Sequence, residues 1–165
     1  MREDKISRRS FLGRALRWTG LGFLASLAGC LWRYLSPRRI SEPISAFNVG
    51  FPDEYKPGSV SDRWVKSPYK VWIIRREDGT FYALYDECTH LSCALRWEPK
   101  EKRFKCPCHR SQFDMEGHLL KGPASRALDR VAIKLDITGE IRVDTSRRFR
   151  FERGEWEDPD SFLKI

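Results

Sequence analysis

The sequence reads CTHLSC at residues 88–93 and CPCHRS at residues 106–111, and these two stretches decide how the chain folds and what it holds. They contain four of the five cysteines and two of the three histidines of the 165-residue chain. Each stretch combines one cysteine with one histidine at short spacing and carries a further cysteine. Thiolates and imidazoles are metal ligands, so the pattern predicts a metal centre built from two loops.

Two kinds of metal centre could use Cys88, His90, Cys106 and His109. A structural zinc ion usually takes cysteines in pairs, whereas each pair here mixes one cysteine with one histidine. In a [2Fe–2S] cluster with two thiolates on one iron and two imidazoles on the other, each loop gives one ligand to each iron. Two plain disulfides would explain neither the spacing nor the histidines. The residues therefore favour the cluster.

The motif pair resembles that of the Rieske iron–sulfur proteins of cytochrome bc-type complexes, which read CTHLGC and CPCHGS. Ten of the twelve positions agree. The likeness extends to Gly122-Pro123-Ala124, the position of the loop that covers the cluster in that family. The resemblance implies one Rieske [2Fe–2S] cluster. Its implied ligands are Cys88 and Cys106 on the inner iron and His90 and His109 on the solvent-facing iron, with a disulfide between Cys93 and Cys108.

Four positions bear on the reduction potential. Ser92 and Arg110 replace family glycines, so either these backbone dihedrals are ordinary here or the loops are altered. The charge of Arg110 should raise the potential. Ser111 matches the family serine whose hydroxyl donates to a cluster sulfur, whereas Phe113 stands where high-potential members carry a tyrosine donor. Because hydrogen bonds to sulfur stabilise the reduced state, the missing donor predicts a lower potential, suited to menaquinol.

Residues 1–35 predict an export signal and a membrane anchor. Arg8 and Arg9 precede an apolar run, a pattern that resembles a twin-arginine signal. The run over residues 18–35 contains one charge and is close to the length of a membrane span. We therefore expect a transmembrane helix in a bacterial cytoplasmic membrane, with the cluster domain on the outer face. A rival interpretation takes the LAGC sequence as a lipobox, in which Cys30 carries a lipid.

The remainder of the chain divides into three parts. Residues 36–46 are polar and contain prolines, which predicts a flexible linker. Residues 47–150 predict a small antiparallel all-β Rieske-type domain with a cluster-binding subdomain. Residues 151–165 mix acids with arginines and predict a polar tail. The expected strands, rich in β-branched and aromatic residues and separated by turns, are 44–49, 69–76, 80–85, 103–105, 119–121, 131–137 and 141–143.

The positive charge of the chain is concentrated at its N-terminus. The net charge is +8; residues 1–40 hold nine basic and two acidic residues, and residues 41–165 hold 22 and 21. A nucleic-acid-binding module carries its positive field on the folded domain. No nucleic-acid partner is therefore expected.

The resemblance implies a membrane-bound electron carrier, the subunit of a quinol–cytochrome c reductase. One electron passes from quinol to the cluster while His90 or His109 takes the proton, and the electron then passes to a c-type cytochrome or another haem acceptor. A cytochrome b subunit is the other implied partner, and whether the complex is dimeric stays open. The linker either lets the domain swing or only tethers it. A less complete likeness is to the small Rieske subunit of arsenite oxidase, which takes electrons from a molybdenum subunit.

Overall fold

The computed structural model describes residues 8–36 and 45–165, which belong to two separate units. The first unit contains one helix, α1, over Arg8–Leu35. No helix in the described ranges is both long enough and apolar enough to cross a membrane. Of the predicted transmembrane helix, the helix itself is present where it was expected, and its arginines, glycines and hydroxyl residues lower its mean hydropathy.

The second unit is built from short antiparallel strands. The all-β prediction is confirmed for residues 45–165, where the helical pieces are single 3-10 turns. The strands are β1 Ala46–Asn48, β2 Ser59–Ser61, β3 Val71–Arg75, β4 Thr80–Tyr85, β5 Arg96–Glu98, β6 Arg103–Lys105, β7 Gln112–Asp114, β8 Leu119–Lys121, β9 Arg130–Leu135, β10 Ile141–Phe149 and β11 Leu163–Lys164.

The larger sheet has the strand order β1-β10-β9-β4-β3-β2, and both of its faces are buried at β3 and β4. Because successive residues of a strand point to opposite faces, the continuous apolar runs of these strands supply two cores. One core takes Val71, Ile73, Phe81 and Ala83. The other takes Trp72, Ile74, Tyr82 and Leu84 together with Cys88 and Cys106. The sheet thus supports the predicted ligand cysteines directly.

The smaller sheet has the order β5-β6-β7-β8 and forms the cluster-binding subdomain. Trp97, Phe104 and Phe113 lie opposite one another across its first three strands. This aromatic row packs into the second core, where the ring of Trp72 meets that of Phe104 with centroids 5.3 Å apart. The burial of one face leaves the alternate residues on the other face, toward solvent.

Residues 151–165 are folded onto the domain rather than forming the predicted tail. Three 3-10 turns lead into β11, which pairs with the part of β4 that β9 leaves free. Trp156 is buried, and the guanidinium carbon of Arg130 lies 3.8 Å from its ring centroid. The many charges of this segment face solvent, which is why its sequence resembles a tail.

The predicted linker lies mostly outside the described residues, which resume at Ser45. Ala46 already pairs with Asp144 of β10, so the β domain begins one residue before the predicted boundary at 47.

Candidate metal centre

Two loops with matching hydrogen bonds carry the predicted ligands. The first joins β4 to β5 and the second joins β6 to β7. In each loop the amide of the first cysteine donates to the carbonyl five residues later, and the amide four residues later donates back to the cysteine carbonyl. The bonds are Cys88 N to Cys93 O at 2.8 Å, Ser92 N to Cys88 O at 2.9 Å, Cys106 N to Ser111 O at 2.8 Å and Arg110 N to Cys106 O at 3.0 Å.

The position four residues after each cysteine is left-handed in both loops. Ser92 has a φ of 55° and Arg110 a φ of 62°. These are the positions at which the Rieske motif carries glycine, the residue that adopts this conformation most readily. The sequence left open whether the backbone dihedrals of Ser92 and Arg110 are ordinary or the loops are altered. The dihedrals are not ordinary. The loops keep a shape that suits glycine although neither residue is glycine.

The structure brings the two cysteines together and the two histidines together. Cys88 and Cys106 are buried in the same core, and each thiol is close enough to influence the other. The rings of His90 and His109 lie edge to face with centroids 4.8 Å apart. His90 is partly buried and His109 is exposed. The thiols thus lie on the core side and the imidazoles toward the surface.

A disulfide joins the two loops between Cys93 and Cys108, as the resemblance implies. The sulfur atoms of these residues and of Cys106 lie within 4.8 Å of one another. Sulfurs that are bonded to each other do not bind iron as thiolates. This proximity therefore locates the disulfide beside Cys106 and does not add ligands to the predicted set.

The donor atoms fit a [2Fe–2S] cluster. The Nδ1 atom of His90 is buried and has no hydrogen-bond partner among the described residues. Burial raises the pKa of the Cys88 thiol, so removal of its proton requires a strong compensating charge such as a metal ion. A buried nitrogen without a partner is costly unless it binds something. A [2Fe–2S] cluster that takes this sulfur on one iron and this nitrogen on the other would satisfy both groups.

The residues around Cys88 include one donor and one notable non-donor. Ser111 is fully buried; its hydroxyl accepts a hydrogen bond from the Ala124 amide at 3.2 Å, and its interaction with the Cys88 thiol offsets part of the rise in the pKa of that thiol. Phe113 is also fully buried, in the same core as Cys88 and Cys106. Its ring occupies this core without offering a hydrogen bond.

The segment Gly122-Pro123-Ala124 packs directly on the second loop. Gly122 has a φ of +117°, and a Cβ atom at this position would lie 2.4 Å from the Cα of Ser111. Only glycine permits this approach of the two backbones. The segment is therefore held to the loop at Ser111, both by this contact and by the Ala124 amide.

A family model described as the Rieske [2Fe-2S] domain matches residues 45–134, more than half of the chain. This chain belongs to the Rieske [2Fe-2S] domain family. Its cofactor is accordingly a Rieske [2Fe–2S] cluster.

Curated relatives of this Rieske chain are iron–sulfur subunits of cytochrome b6-f complexes. Subunit 1 from the cyanelle of Cyanophora paradoxa is 36% identical over 108 residues, covering 63% of this chain and 45% of the relative. Subunit 2 from Nostoc sp. is 42% identical over 67 residues, covering 39% and 38%. The chain spans less than half the length of these relatives. The solved plasma membrane Rieske protein from Synechocystis is 29% identical, with a TM-score of 0.46, over 59% of this chain and 98% of that one.

Sequence reasoning missed one residue that shapes the first loop of this Rieske domain. Asp86 is buried directly after β4, and its Oδ1 atom accepts hydrogen bonds from the Trp72 indole at 2.8 Å and the Leu95 amide at 2.9 Å. Burial raises the pKa of Asp86 despite these donors. The bond to the Leu95 amide joins the two ends of the first metal-binding loop. In the sequence, the only sign of this role was a single acidic residue at the end of an apolar strand.

The residues of the predicted export signal and of the lipobox lie in α1. Arg8 and Arg9 are at its start, and Cys30 is exposed near its end. A helix over these residues is compatible with both the export signal and the lipidation of Cys30, so both stay predictions.

Proposed function

We propose that this Rieske chain is the iron–sulfur subunit of a cytochrome b6f- or bc-type complex, oxidising a quinol one electron at a time and passing each electron to a cytochrome. The curated relatives carry that subunit's name, which supports the proposal. When bound, the cluster supplies a one-electron acceptor whose change of charge is transmitted to its imidazole ligands.

The carrying observation is the pair of imidazoles, one exposed and one partly buried, set in apolar surface. His90 and His109 lie 4.8 Å apart, and the loops that hold them expose Leu91, to 64%, and Pro107. A quinol presents a hydroxyl on an apolar ring, so its site needs a hydrogen-bond acceptor surrounded by apolar groups. This surface offers both features.

His109 is the better placed of the two imidazoles to release a proton. Its side chain is exposed, whereas His90 is partly buried with an orphaned Nδ1. A ring nitrogen that is not bound to iron accepts the hydrogen bond of the quinol hydroxyl and takes its proton as the electron leaves the quinol. Exposure then gives the proton a direct route to water.

The substrate we propose is a menaquinol. Phe113 adds no hydrogen bond to the buried cysteines, which lowers the potential relative to members with tyrosine. The side chain of Arg110 is exposed, so water and salt screen its opposing effect. A low-potential centre suits a low-potential quinol.

We further propose that the complex lies in a bacterial cytoplasmic membrane with this domain on the outer face, beside a cytochrome b subunit and a c-type cytochrome or other haem acceptor. The twin-arginine pattern supports export of an already folded protein. The Cys93–Cys108 disulfide is suited to an oxidising compartment.

Purification of the complex from its native membranes, with haem staining of the co-purifying subunits, tests this proposal. We expect a b-type and a c-type cytochrome, and faster reduction of the oxidised complex by menaquinol than by ubiquinol. Leu91→Ser should raise the KM for quinol, whereas Ile137→Ser, a fully exposed apolar side chain in the β9–β10 turn, should not. A molybdenum subunit in place of the cytochromes, or a complex that no quinol reduces, would overturn it.

A further inference from the structure

The outer face of the smaller sheet carries a row of three cations and one neutral amide. The strand register aligns one residue from each of its four strands: Arg96, Lys105, Gln112 and Lys121. Residues directly opposite one another point to the same face of a sheet. The neighbouring row is the aromatic one that packs into the core, so the cationic row lies on the solvent face.

This row lies at the edge of the sheet from which the metal-binding loops emerge. Lys105 directly precedes Cys106, and Lys121 directly precedes Gly122. Arg110 of the second loop is exposed at the same edge. Arg96, Lys105 and Arg110 line one surface groove together with Cys106, Pro107 and a single acid, Glu98. A partner seated on these cations would therefore sit beside a ligand of the cluster.

The positive charge is largely uncompensated. Among the described residues, Arg96, Arg110 and Lys121 form no ion pair, while Lys105 pairs with Glu101. Residues 88–126 hold eight basic and four acidic residues, a net charge of +4. The rest of the described β domain, residues 45–87 and 127–165, holds 14 basic and 16 acidic residues, a net charge of −2. The domain is thus polarised, with its positive end at the cluster.

Two features of this face are locally unfavourable. Like charges directly opposite on neighbouring strands are destabilising, as for Arg96 and Lys105. A left-handed arginine is also less stable than a left-handed glycine, as for Arg110. Such local conflicts are expected at functional sites, with compensation elsewhere in the structure.

We infer that Arg96, Lys105, Arg110 and Lys121, the cationic face, dock the acidic surface of the protein that accepts the electron, a c-type cytochrome of net negative charge. The inference rests on the proposed function and names the chemistry of the acceptor. One electron leaves the reduced Rieske protein and converts the ferric haem iron of the cytochrome to ferrous. Charge complementarity of this kind raises the association rate and fixes the orientation of the partner.

Charge reversal on and off the cationic face tests the inference. The test variant is Arg96→Glu with Lys121→Glu. The control is Lys66→Glu with Lys134→Glu, which changes the net charge by the same amount at exposed positions outside the smaller sheet. The reduced full chain is mixed with two soluble c-type cytochromes, one acidic and one basic. Binding of each ferric cytochrome is measured in parallel by calorimetry.

We expect the test variant to reduce the acidic cytochrome about tenfold more slowly than the control at low ionic strength. The difference should vanish at about 0.5 M salt, where the Debye length is only a few ångströms. Binding of the ferric acidic cytochrome should weaken in parallel, and the basic cytochrome should show no such loss.

Equal rates and equal binding for the two double variants would overturn the inference while leaving the proposed function intact. Failure of the wild-type chain to reduce either cytochrome would count against the proposed function instead. Calorimetry would in that case still decide the docking surface. Unchanged circular dichroism and iron content establish that both variants are folded and loaded.

Discussion

Ser92 and Arg110 occupy the same position of two matching turns and share a left-handed backbone, with φ of 55° and 62°. In each turn the amide of this residue donates to the carbonyl of the cysteine four residues earlier. The hydrogen bonds and the disulfide between the loops therefore determine the loop shape without help from glycine.

Replacement of Arg110 by glycine should stabilise the domain. The left-handed conformation is unfavourable for non-glycine residues by roughly 1 kcal/mol, so Arg110→Gly should raise the free energy of unfolding by about that amount. Urea denaturation of the oxidised, cluster-loaded protein measures it. The control Arg110→Ala removes the charge but keeps the Cβ. Equal stability of the glycine and alanine variants would show that the backbone is not strained.

Addition of a hydroxyl beside the ligand cysteines should raise the potential. Phe113 packs in the same core as Cys88 and Cys106, so Phe113→Tyr introduces a donor within their surroundings. A hydrogen bond to a ligand sulfur stabilises the reduced form. Redox titration of the variant should give a higher midpoint than the wild type, and Phe113→Leu should not. An unchanged midpoint for the tyrosine variant would remove the basis of the menaquinol proposal.

Addition of a methyl group at Gly122 should disturb the metal centre. Its Cβ would lie 2.4 Å from the Ser111 Cα, so Gly122→Ala must separate the two backbones. We expect a lower melting temperature and reduced iron content. Gly139→Ala is the matched control, since Gly139 also has positive φ but nothing within 4 Å. If both variants behave alike, strain alone accounts for the effect and the contact with Ser111 is unimportant.

The hydrogen bonds of Asp86 should matter more than its charge. Both the Trp72 indole and the Leu95 amide donate to Oδ1, so Asp86→Asn retains an acceptor for both. Asp86→Ala leaves two buried donors unsatisfied, which should destabilise the domain by about 2–4 kcal/mol. Thermal unfolding of the two variants separates these effects. Equal loss in both would mean that the carboxylate charge is what the first loop requires.

Much of the β domain could be predicted because its signals are local. The hairpin strand over 80–85 and the short strands over 103–105 and 119–121 appear with the expected bounds. The disulfide also follows the resemblance. The three-residue strands β2, β5 and β7 were missed, since they are too short to show a period and their pairing depends on loops whose shape the sequence does not specify.

The incorrect predictions concern residues whose environment is set by contacts in the folded domain. Trp156 is buried because it packs against Arg130 and Phe149, and no periodic pattern in residues 151–165 predicts that contact. The left-handed backbone of Ser92 depends on hydrogen bonds that the motif alone left undecided. A helical span was expected over 18–35, and the helix begins earlier, at Arg8, and ends at Leu35; its apolar character was overestimated from the absence of charge between Arg17 and Arg33.

The most direct measurement is electron paramagnetic resonance of the reduced full chain, with nitrogen hyperfine detection and labelled histidine. We expect one [2Fe–2S] cluster per chain, coupled to two imidazole nitrogens, with the signal lost in both His90→Ala and His109→Ala. A colourless protein containing zinc, or a cluster without nitrogen coupling, would contradict it.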